Sequence, residues 1–160
     1  CMVDEVSNIP HIKRIRWHSR VPIVLPERMT PSLLAAIHRP HIKTIIVTHC
    51  NHPNELTELV NDNLAIFQQA GISLLNQSVL LHKINDNVDV LTSLSEKLFA
   101  HRILPYYLHT LDYVKGSHRF EVPIVEARTI HSALQEQLSG FLVPRMVKDI
   151  ANLPNKVLLN

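Results

Sequence analysis

The sequence has few glycines and cysteines and contains no long apolar run. Only three glycines and two cysteines occur among its 160 residues. Two cysteines, Cys1 and Cys50, are too few for a disulfide framework or for a cysteine-ligated iron–sulfur cluster. No apolar stretch approaches the roughly 20 residues that span a bilayer, and no signal-peptide pattern opens the chain. We therefore expect a cytoplasmic protein that has no membrane partner.

The chain also lacks an excess of charge of either sign. Sixteen basic residues against fourteen acidic ones leave a formal net charge of +2. The basic residues are scattered, so nothing points to nucleic acid as a partner. The length suits one domain over residues 1–160. Because the chain begins with Cys1 rather than an initiator Met, we expect it to be a piece of a longer protein.

A strand-like segment recurs along the chain about every 30 residues. "PHIKRIRWHSR" begins at Pro10, "PHIKTIIVTHC" at Pro40, "GISLLNQ" at Gly71 and "RILPYYLH" at Arg102. A fifth strand-like run, "FLVPRMV", begins at Phe141. Short strands at this spacing, with helix-length segments between them, are typical of βα units and predict a parallel sheet.

The segments between the strands have the spacing of amphipathic helices. In "TPSLLAAIHR", Thr30 is a predicted N-cap and Pro31 occupies the first helical position. The alternating pattern predicts an α/β fold and leaves two architectures open, a TIM-like barrel or a doubly wound open sheet. No G-x-G-x-x-G or P-loop sequence follows a strand, which disfavours a nucleotide-binding fold.

Polar side chains follow each of the first four predicted strands. They are His18, Ser19 and Arg20; then Thr48, His49, Asn51, His52 and Asn54; then Asn76, Gln77 and Ser78; and then His109 and Asp112. A single polar residue at a strand end is more often a cap or a turn than a ligand. Since four successive strand ends share the property, we predict one site at the carboxyl ends of the strands.

Two other features allow more than one interpretation. His49, Cys50 and His52 could belong to a zinc module, but zinc needs three or four ligands and no second cluster is evident. Lys156, near the chain end, is either solvated or able to form a Schiff base with an aldehyde cofactor. Five further histidines are expected at the surface, namely His11, His38, His41, His101 and His131.

Four longer segments resemble the lysine 2,3-aminomutase family. They are "THCNHPNE" from Thr48, "GISLLNQSVLLHKIND" from Gly71, "LPYYLHTLDYVKGSHRF" from Leu104 and "SGFLVPRMVKDIANLPNK" from Ser139. The similarity runs over essentially the whole chain. Within the family, the chain most resembles the bacterial branch that makes β-lysine for the modification of elongation factor P.

The resemblance implies an α/β fold, the C-terminal part of a partial (β/α)6 TIM-like radical-SAM barrel. It also implies a radical S-adenosylmethionine enzyme that uses pyridoxal 5′-phosphate. In the family, a [4Fe-4S] cluster cleaves S-adenosylmethionine, and the resulting radical removes hydrogen from C3 of L-lysine. The 2-amino group then moves to C3, with the pyridoxal cofactor serving a radical rather than a carbanion.

The resemblance also assigns residues to roles. Lys156 matches the lysine that holds the cofactor aldehyde. Asp112 and Asp149 match the two acidic residues that bind the ε-ammonium of the substrate, where paired carboxylates offset its desolvation. The residues expected to contact the cofactors are Gln77, His49, Asn76, Ser78, His109 and Lys156, with Gln77 and His49 lining the space that the two cofactors share.

The chain departs from the family pattern in two places. The cluster-binding C-x-x-x-C-x-x-C motif and the arginines around it are absent, so this chain supplies no metal ligands and is not expected to generate the radical alone. His109 stands where many clostridial members have Tyr. A truncated, non-catalytic homologue acting as a binding remnant is the alternative, and the sequence leaves open whether the protein is a homo-oligomer.

Overall fold

The computed structural model describes residues 2–112, 114–150 and 152–159. The helices are α1 (Met2–Ser7), α2 (Val21–Val24), α3 (Pro31–Ile37), α4 (Glu58–Gln69), α5 (Val88–Ala100) and α6 (Ile124–Gln137). The strands are β1 (Arg14–Ser19), β2 (Lys43–Thr48), β3 (Ser73–Val79), β4 (Ile103–His109), β5 (Arg145–Lys148) and β6 (Val157–Leu158). Within these ranges, no helix combines the length and the apolar character needed to cross a bilayer.

The six strands form one sheet in the order β1-β2-β3-β4-β5-β6. Strands β1 to β5 pair in parallel, and β6 pairs antiparallel with β5. The predicted α/β class and parallel strands are confirmed. A doubly wound sheet reverses its strand order at a switch point, and the described strands do not reverse. The sequence did not predict β6, because two residues are too short to carry a pattern.

Side-chain caps start the helices that separate the strands. Thr30 Oγ1 accepts a hydrogen bond from Leu33 N at 3.2 Å, with Pro31 at the first helical position, as predicted. Thr57 and Asn87 cap α4 and α5 in the same way. These side chains satisfy backbone N–H groups that have no partner within the helix. Each of the three helices therefore begins at a capping side chain, of which the sequence predicted the one at Thr30.

The hydrophobic core lies between the helices and one face of the sheet. Its buried residues include Ile46, Leu64, Phe67, Leu74, Leu91, Leu98, Ile103, Leu108 and Leu134. His131 of α6 is also buried here, and its Nε2 lies 2.9 Å from the carbonyl oxygen of Pro144. The expectation of a surface position for His131 is therefore wrong, because α6 packs this residue against the segment that leads into β5.

The opposite face of the sheet, here called the inner face, carries alternate residues of each strand. On β3, Leu74, Asn76 and Ser78 are buried on the helix-facing side, and Gln77 lies on the inner face. One cavity on the inner face is lined by both Arg16 of β1 and Arg145 of β5. In a flat sheet these strands would lie about 19 Å apart. The sheet therefore curves around its inner face.

A β-bulge interrupts β4. The register shifts by one residue, from Asn76 opposite Pro105 to Gln77 opposite Tyr107, which leaves Tyr106 as the extra residue. Because side chains alternate along a strand, one extra residue exchanges the faces of all the residues that follow it. Residues before the bulge, such as Ile103, belong to the core, and His109 after it lines an inner-face cavity.

Candidate active site

A cavity of about 390 Å³ lies on the inner face at the carboxyl ends of the strands. Six of the eight predicted site residues line it, namely His49, Gln77, His109, Asp112, Asp149 and Lys156. A second cavity, of about 380 Å³, shares Gln77 and Lys156 with the first. These two side chains therefore stand at the boundary between two neighbouring spaces.

Lys156 and Asp149 form an ion pair, with Lys156 Nζ 2.6 Å from Asp149 Oδ2. The β5–β6 hairpin explains the contact. Lys148 pairs with Val157 across the antiparallel strands, so Asp149 and Lys156 occupy the next positions of the hairpin. The two side chains are 46% and 33% exposed, which leaves both accessible to a ligand. The spacing of seven residues in the sequence does not reveal this contact.

The imidazole of His109 lines the same cavity, and one of its two nitrogens has no hydrogen-bond partner among the described residues. Its Nδ1 lies 3.5 Å from Asp149 Oδ2. Its Nε2 and the hydroxyl of Thr110 are buried and have no hydrogen-bond partner among the described residues. A buried polar atom without a partner costs about 1–3 kcal/mol, so these atoms favour a bound polar group in the cavity.

The pKa of His109 lies below its usual value. Burial is the largest cause, and the positive charge of Lys156 adds to it. Asp149 and Asp112 act in the opposite direction. Both carboxylates thus act on one imidazole, and Asp112, in the loop after β4, lines the same cavity. The imidazole of His109 is therefore neutral near pH 7.

His49 and Gln77 are joined across β2 and β3. Gln77 Nε2 lies 3.0 Å from His49 Nε2, and because an amide nitrogen only donates, the imidazole nitrogen accepts. This tautomer is consistent with a lowered pKa of His49, caused first by burial and then by the charges of His18 and Arg20. The contact fixes the orientation of both side chains at the boundary of the two cavities.

Asn76 and Ser78 do not line the cavity. Asn76 Oδ1 accepts from Thr48 Oγ1 at 2.9 Å and from Cys50 N at 2.8 Å, and Asn76 Nδ2 donates to Cys50 O at 3.0 Å. The hydroxyl of Ser78 donates to the same carbonyl at 2.8 Å. Both residues anchor the loop after β2 that carries His49. The alternation of Leu74, Asn76 and Ser78 was the sequence signal for their shared helix-facing side.

Two further residues, which the sequence analysis missed, hold the same loop. Glu55 Oε1 accepts from Asn51 N at 2.8 Å and from His52 N at 2.9 Å. Asn85, which is completely buried, donates to Asn51 O at 2.8 Å and to Val79 O at 2.9 Å. Together with those of Asn76 and Ser78, these hydrogen bonds hold the loop after β2 in place and so fix the position of His49.

The residues proposed as zinc ligands are engaged elsewhere. The Cys50 thiol is buried, lies 3.4 Å from His52 O, and has a pKa raised by burial to about 12. His52 Nδ1 accepts from Asn54 N at 3.2 Å. Across the part of the chain that the structure describes, no group of three or more His, Cys, Asp or Glu is arranged to hold a metal ion. Cys1 lies outside the described residues.

Fold and site together define an α/β protein with a lysine–aspartate pair and neutral imidazoles around a cavity at the carboxyl ends of its strands. A scan against models of protein families gives no match. Comparison with curated proteins identifies relatives over nearly the whole chain, and these relatives are called L-lysine 2,3-aminomutase. The resemblance stated from the sequence is thereby confirmed.

Three of these relatives are called L-lysine 2,3-aminomutase. The protein of Haemophilus influenzae is 42% identical over 157 residues, which are 98% of this chain and 46% of that protein. The Escherichia coli protein is 43% identical over 159 residues, 99% of this chain and 46% of its own length. The Clostridium subterminale protein is 38% identical over 148 residues, 92% of this chain and 35% of its own length. The chain thus spans half or less of these relatives.

Proposed function

We propose that this chain contributes to the active site of an L-lysine 2,3-aminomutase, an isomerase that moves the 2-amino group of L-lysine to C3. The observation that carries the proposal is the contact of Lys156 with Asp149 at a cavity that Asp112 also lines. The names of the relatives give the reaction class. The non-catalytic alternative is not favoured, because the chain keeps these three residues and brings them together.

The substrate is proposed to lie with its ε-ammonium between Asp112 and Asp149. Asp149 already accepts from one ammonium group, that of Lys156, at 2.6 Å. A second carboxylate in the same cavity offsets the cost of removing an ammonium from water. Asp149 is therefore proposed to recognise an amine and Asp112 to complete the charge balance.

Pyridoxal 5′-phosphate is the cofactor that the residues around Lys156 fit. The amine is partly exposed, borders both cavities and lies near the unpartnered Nε2 of His109. When bound, this cofactor supplies an electron sink beside the carbon atom from which the amino group moves. Lys156 is proposed to hold the cofactor aldehyde, and neutral His109 to bond a polar group of the ligand without adding charge.

S-adenosylmethionine is proposed for the space that Gln77 and His49 line. Their mutual hydrogen bond holds both side chains at the boundary of the two cavities. The described residues contain no ligand set for a [4Fe-4S] cluster. That cluster is proposed for residues outside the described ones, since the relatives are about twice the length of this chain or more.

The proposed architecture is the C-terminal part of a partial (β/α)6 radical-SAM barrel. The sequential strand order and the curved inner face support it. The cytoplasm is the proposed location, and elongation factor P the proposed destination of the β-lysine. The chain is more identical to the H. influenzae and E. coli relatives than to the clostridial one. This difference supports the elongation factor P branch of the family over the clostridial one.

Removal of the Lys156 amine tests the proposal most directly. Wild-type protein of natural length is incubated with pyridoxal 5′-phosphate and then reduced with borohydride. We expect mass spectrometry to locate the cofactor on Lys156. The Lys156→Ala variant is expected to lose this adduct, because no other amine of the described residues lies at the boundary of the two cavities.

Lys43→Ala is the matched control, since exposed Lys43 starts β2 at the end of the strand remote from the cavity. It is expected to keep the adduct. An adduct at the same yield in Lys156→Ala, or none at Lys156 in the wild-type protein, would contradict the proposed role of this lysine.

A further inference from the structure

The charged groups that line the second cavity are all of basic residues. Arg16 and His18 of β1 face it from one side, and Arg145 of β5 and Lys156 from the other. No Asp or Glu is among its lining residues, although the chain has nearly as many acidic as basic residues. Like charges that converge on one space repel each other, so an anion in that space is favoured.

Arg16 and Arg145 have no neutralising partner among the residues that the structure describes. Neither guanidinium has a hydrogen-bond or ion-pair partner within residues 2–112, 114–150 and 152–159. Other arginines do have such partners, since Arg20 pairs with Glu55 at 2.8 Å and Arg39 with Asp4 at 2.6 Å. The two arginines of this cavity are therefore available to a ligand.

The inner face brings these two arginines to one place. Arg145 pairs in register with Tyr107, which in turn pairs with Gln77, and all three line the cavity. Arg16 reaches the same cavity from β1 because the sheet is curved. The pKa of His18 agrees with this placement. It is lowered first by burial and then by the positive charges of Arg16 and Lys156.

Guanidinium groups are suited to one class of ligand. Their planar array of N–H donors matches the oxygen atoms of a carboxylate or a phosphate, often through two parallel hydrogen bonds. A volume of about 380 Å³ is within the range of small-molecule sites. We propose that Arg16 and Arg145 form an oxyanion-binding subsite for the carboxylate or phosphate of a ligand whose other end reaches Gln77 and Lys156.

The subsite itself does not depend on the proposed isomerase, but the identity of its ligand rests on that proposed function. Pyridoxal 5′-phosphate brings a phosphate and S-adenosylmethionine brings a carboxylate, and the inner face offers the same donors to either. The charge and geometry of the two guanidinium groups indicate that the ligand group is an oxyanion. Binding measurements distinguish the phosphate of pyridoxal 5′-phosphate from the carboxylate of S-adenosylmethionine.

The first experiment measures oxyanion binding by isothermal titration calorimetry at fixed ionic strength. The protein of natural length is titrated with inorganic phosphate and with acetate. Arg16→Gln and Arg145→Gln are each expected to weaken binding of the preferred anion by about ten-fold or more, as loss of a charge-assisted hydrogen bond does. Arg128→Gln, on the exposed side of α6, removes the same charge and is expected to bind as wild type.

The second experiment identifies the source of the oxyanion. Pyridoxal 5′-phosphate is compared with pyridoxal, and S-adenosylmethionine with 5′-methylthioadenosine, which lacks the carboxylate. Both arginine variants are expected to reduce the affinity for only the oxyanion-bearing member of one pair. Should a Gln variant fail to fold by circular dichroism, the Lys variant keeps the charge without the planar donors and is expected to bind more weakly than wild type.

Unchanged affinity for phosphate and acetate in folded Arg16 and Arg145 variants would overturn the subsite. So would an equal loss in Arg128→Gln, because the effect would then be one of net charge. Failure of the proposed function has a different signature. Lys156 would carry no cofactor after borohydride reduction, and the two arginines would still determine the affinity for the simple anions.

Discussion

Asn76 and Gln77 are neighbours on β3, yet the two faces of the sheet use their amides in opposite ways. Asn76 points toward the helices and takes part in four hydrogen bonds, with Thr48, with Ser78 and twice with the backbone of Cys50. Gln77 points to the inner face and meets one partner, His49. On β3, the polar side chains of the helix-facing side are satisfied by the protein, and Gln77 on the inner face keeps unused hydrogen-bonding capacity.

The difference follows from what each face excludes. Asn76 and Ser78 are buried from water, so a polar atom left there without a partner would cost more than its hydrogen bond contributes. The inner face opens onto two cavities, where atoms of His109, Arg16 and Arg145 without a partner among the described residues remain available. Amide side chains at strand ends therefore hold loops in place on the helix-facing side, whereas on the inner face they offer contacts to a ligand.

Asn76→Leu should have the largest effect on stability. It removes the acceptor of the buried Cys50 N–H, which costs about 1–3 kcal/mol when unsatisfied, and one of the two donors to Cys50 O, together with the contacts to Thr48 and Ser78. We expect the free energy of unfolding, measured by urea denaturation, to fall by about 3 kcal/mol or more. A loss below 1 kcal/mol would remove the distinction between the two faces.

Gln77→Leu tests the other side of the comparison at the next position. The side chain is partly exposed and makes one hydrogen bond, so the free energy of unfolding should change by less than about 1 kcal/mol. Affinity for S-adenosylmethionine, measured by calorimetry, should instead fall several-fold. If stability falls as much as in Asn76→Leu and affinity stays unchanged, Gln77 has a structural role only.

The pH dependence of stability should show a smaller effect. Burial holds the pKa values of His18, His49 and His109 below the usual 6.5. Below pH 6.5 the unfolded chain therefore binds more protons than the folded one, and the free energy of unfolding falls as the pH decreases through this range. Above it, these histidines are neutral in both states and contribute no slope.

Urea denaturation at several pH values between 5 and 8 measures this slope. His109→Gln is expected to flatten it, whereas replacement of the exposed His11 by Gln should leave it unchanged. A slope that is equally steep in wild type and His109→Gln would show that burial of this imidazole does not control the effect.

Much of the fold could be predicted because it repeats. Strands at regular intervals, the cap at Thr30 and the absence of nucleotide-binding loops were sufficient for a parallel α/β sheet. The strand-end rule also brought His49, His109 and Asp112 to one edge, and they do line one cavity. These features depend on local patterns, which a single sequence contains.

The remaining features depend on contacts between distant residues. Nothing local in "NLPNK" places Lys156 beside Asp149, since the antiparallel pairing of β6 with β5 determines that contact. The strand-end rule also does not separate Asn76 and Ser78 from Gln77, because it concerns the end of a strand and not its face. The alternation of Asn76 and Ser78 with Leu74 contains that information.

The bulge at Tyr106 gives β4 one residue more than its pairing with β3 uses. Deletion of Tyr106 would therefore restore an unbroken alternation without changing any pair on either side of it. Tyr107 and His109 would stay on the inner face, and Leu108 would stay in the core. A codon lost at the bulge would thus leave the walls of both cavities in place, whereas loss of the codon for Leu108 would turn His109 toward the helices.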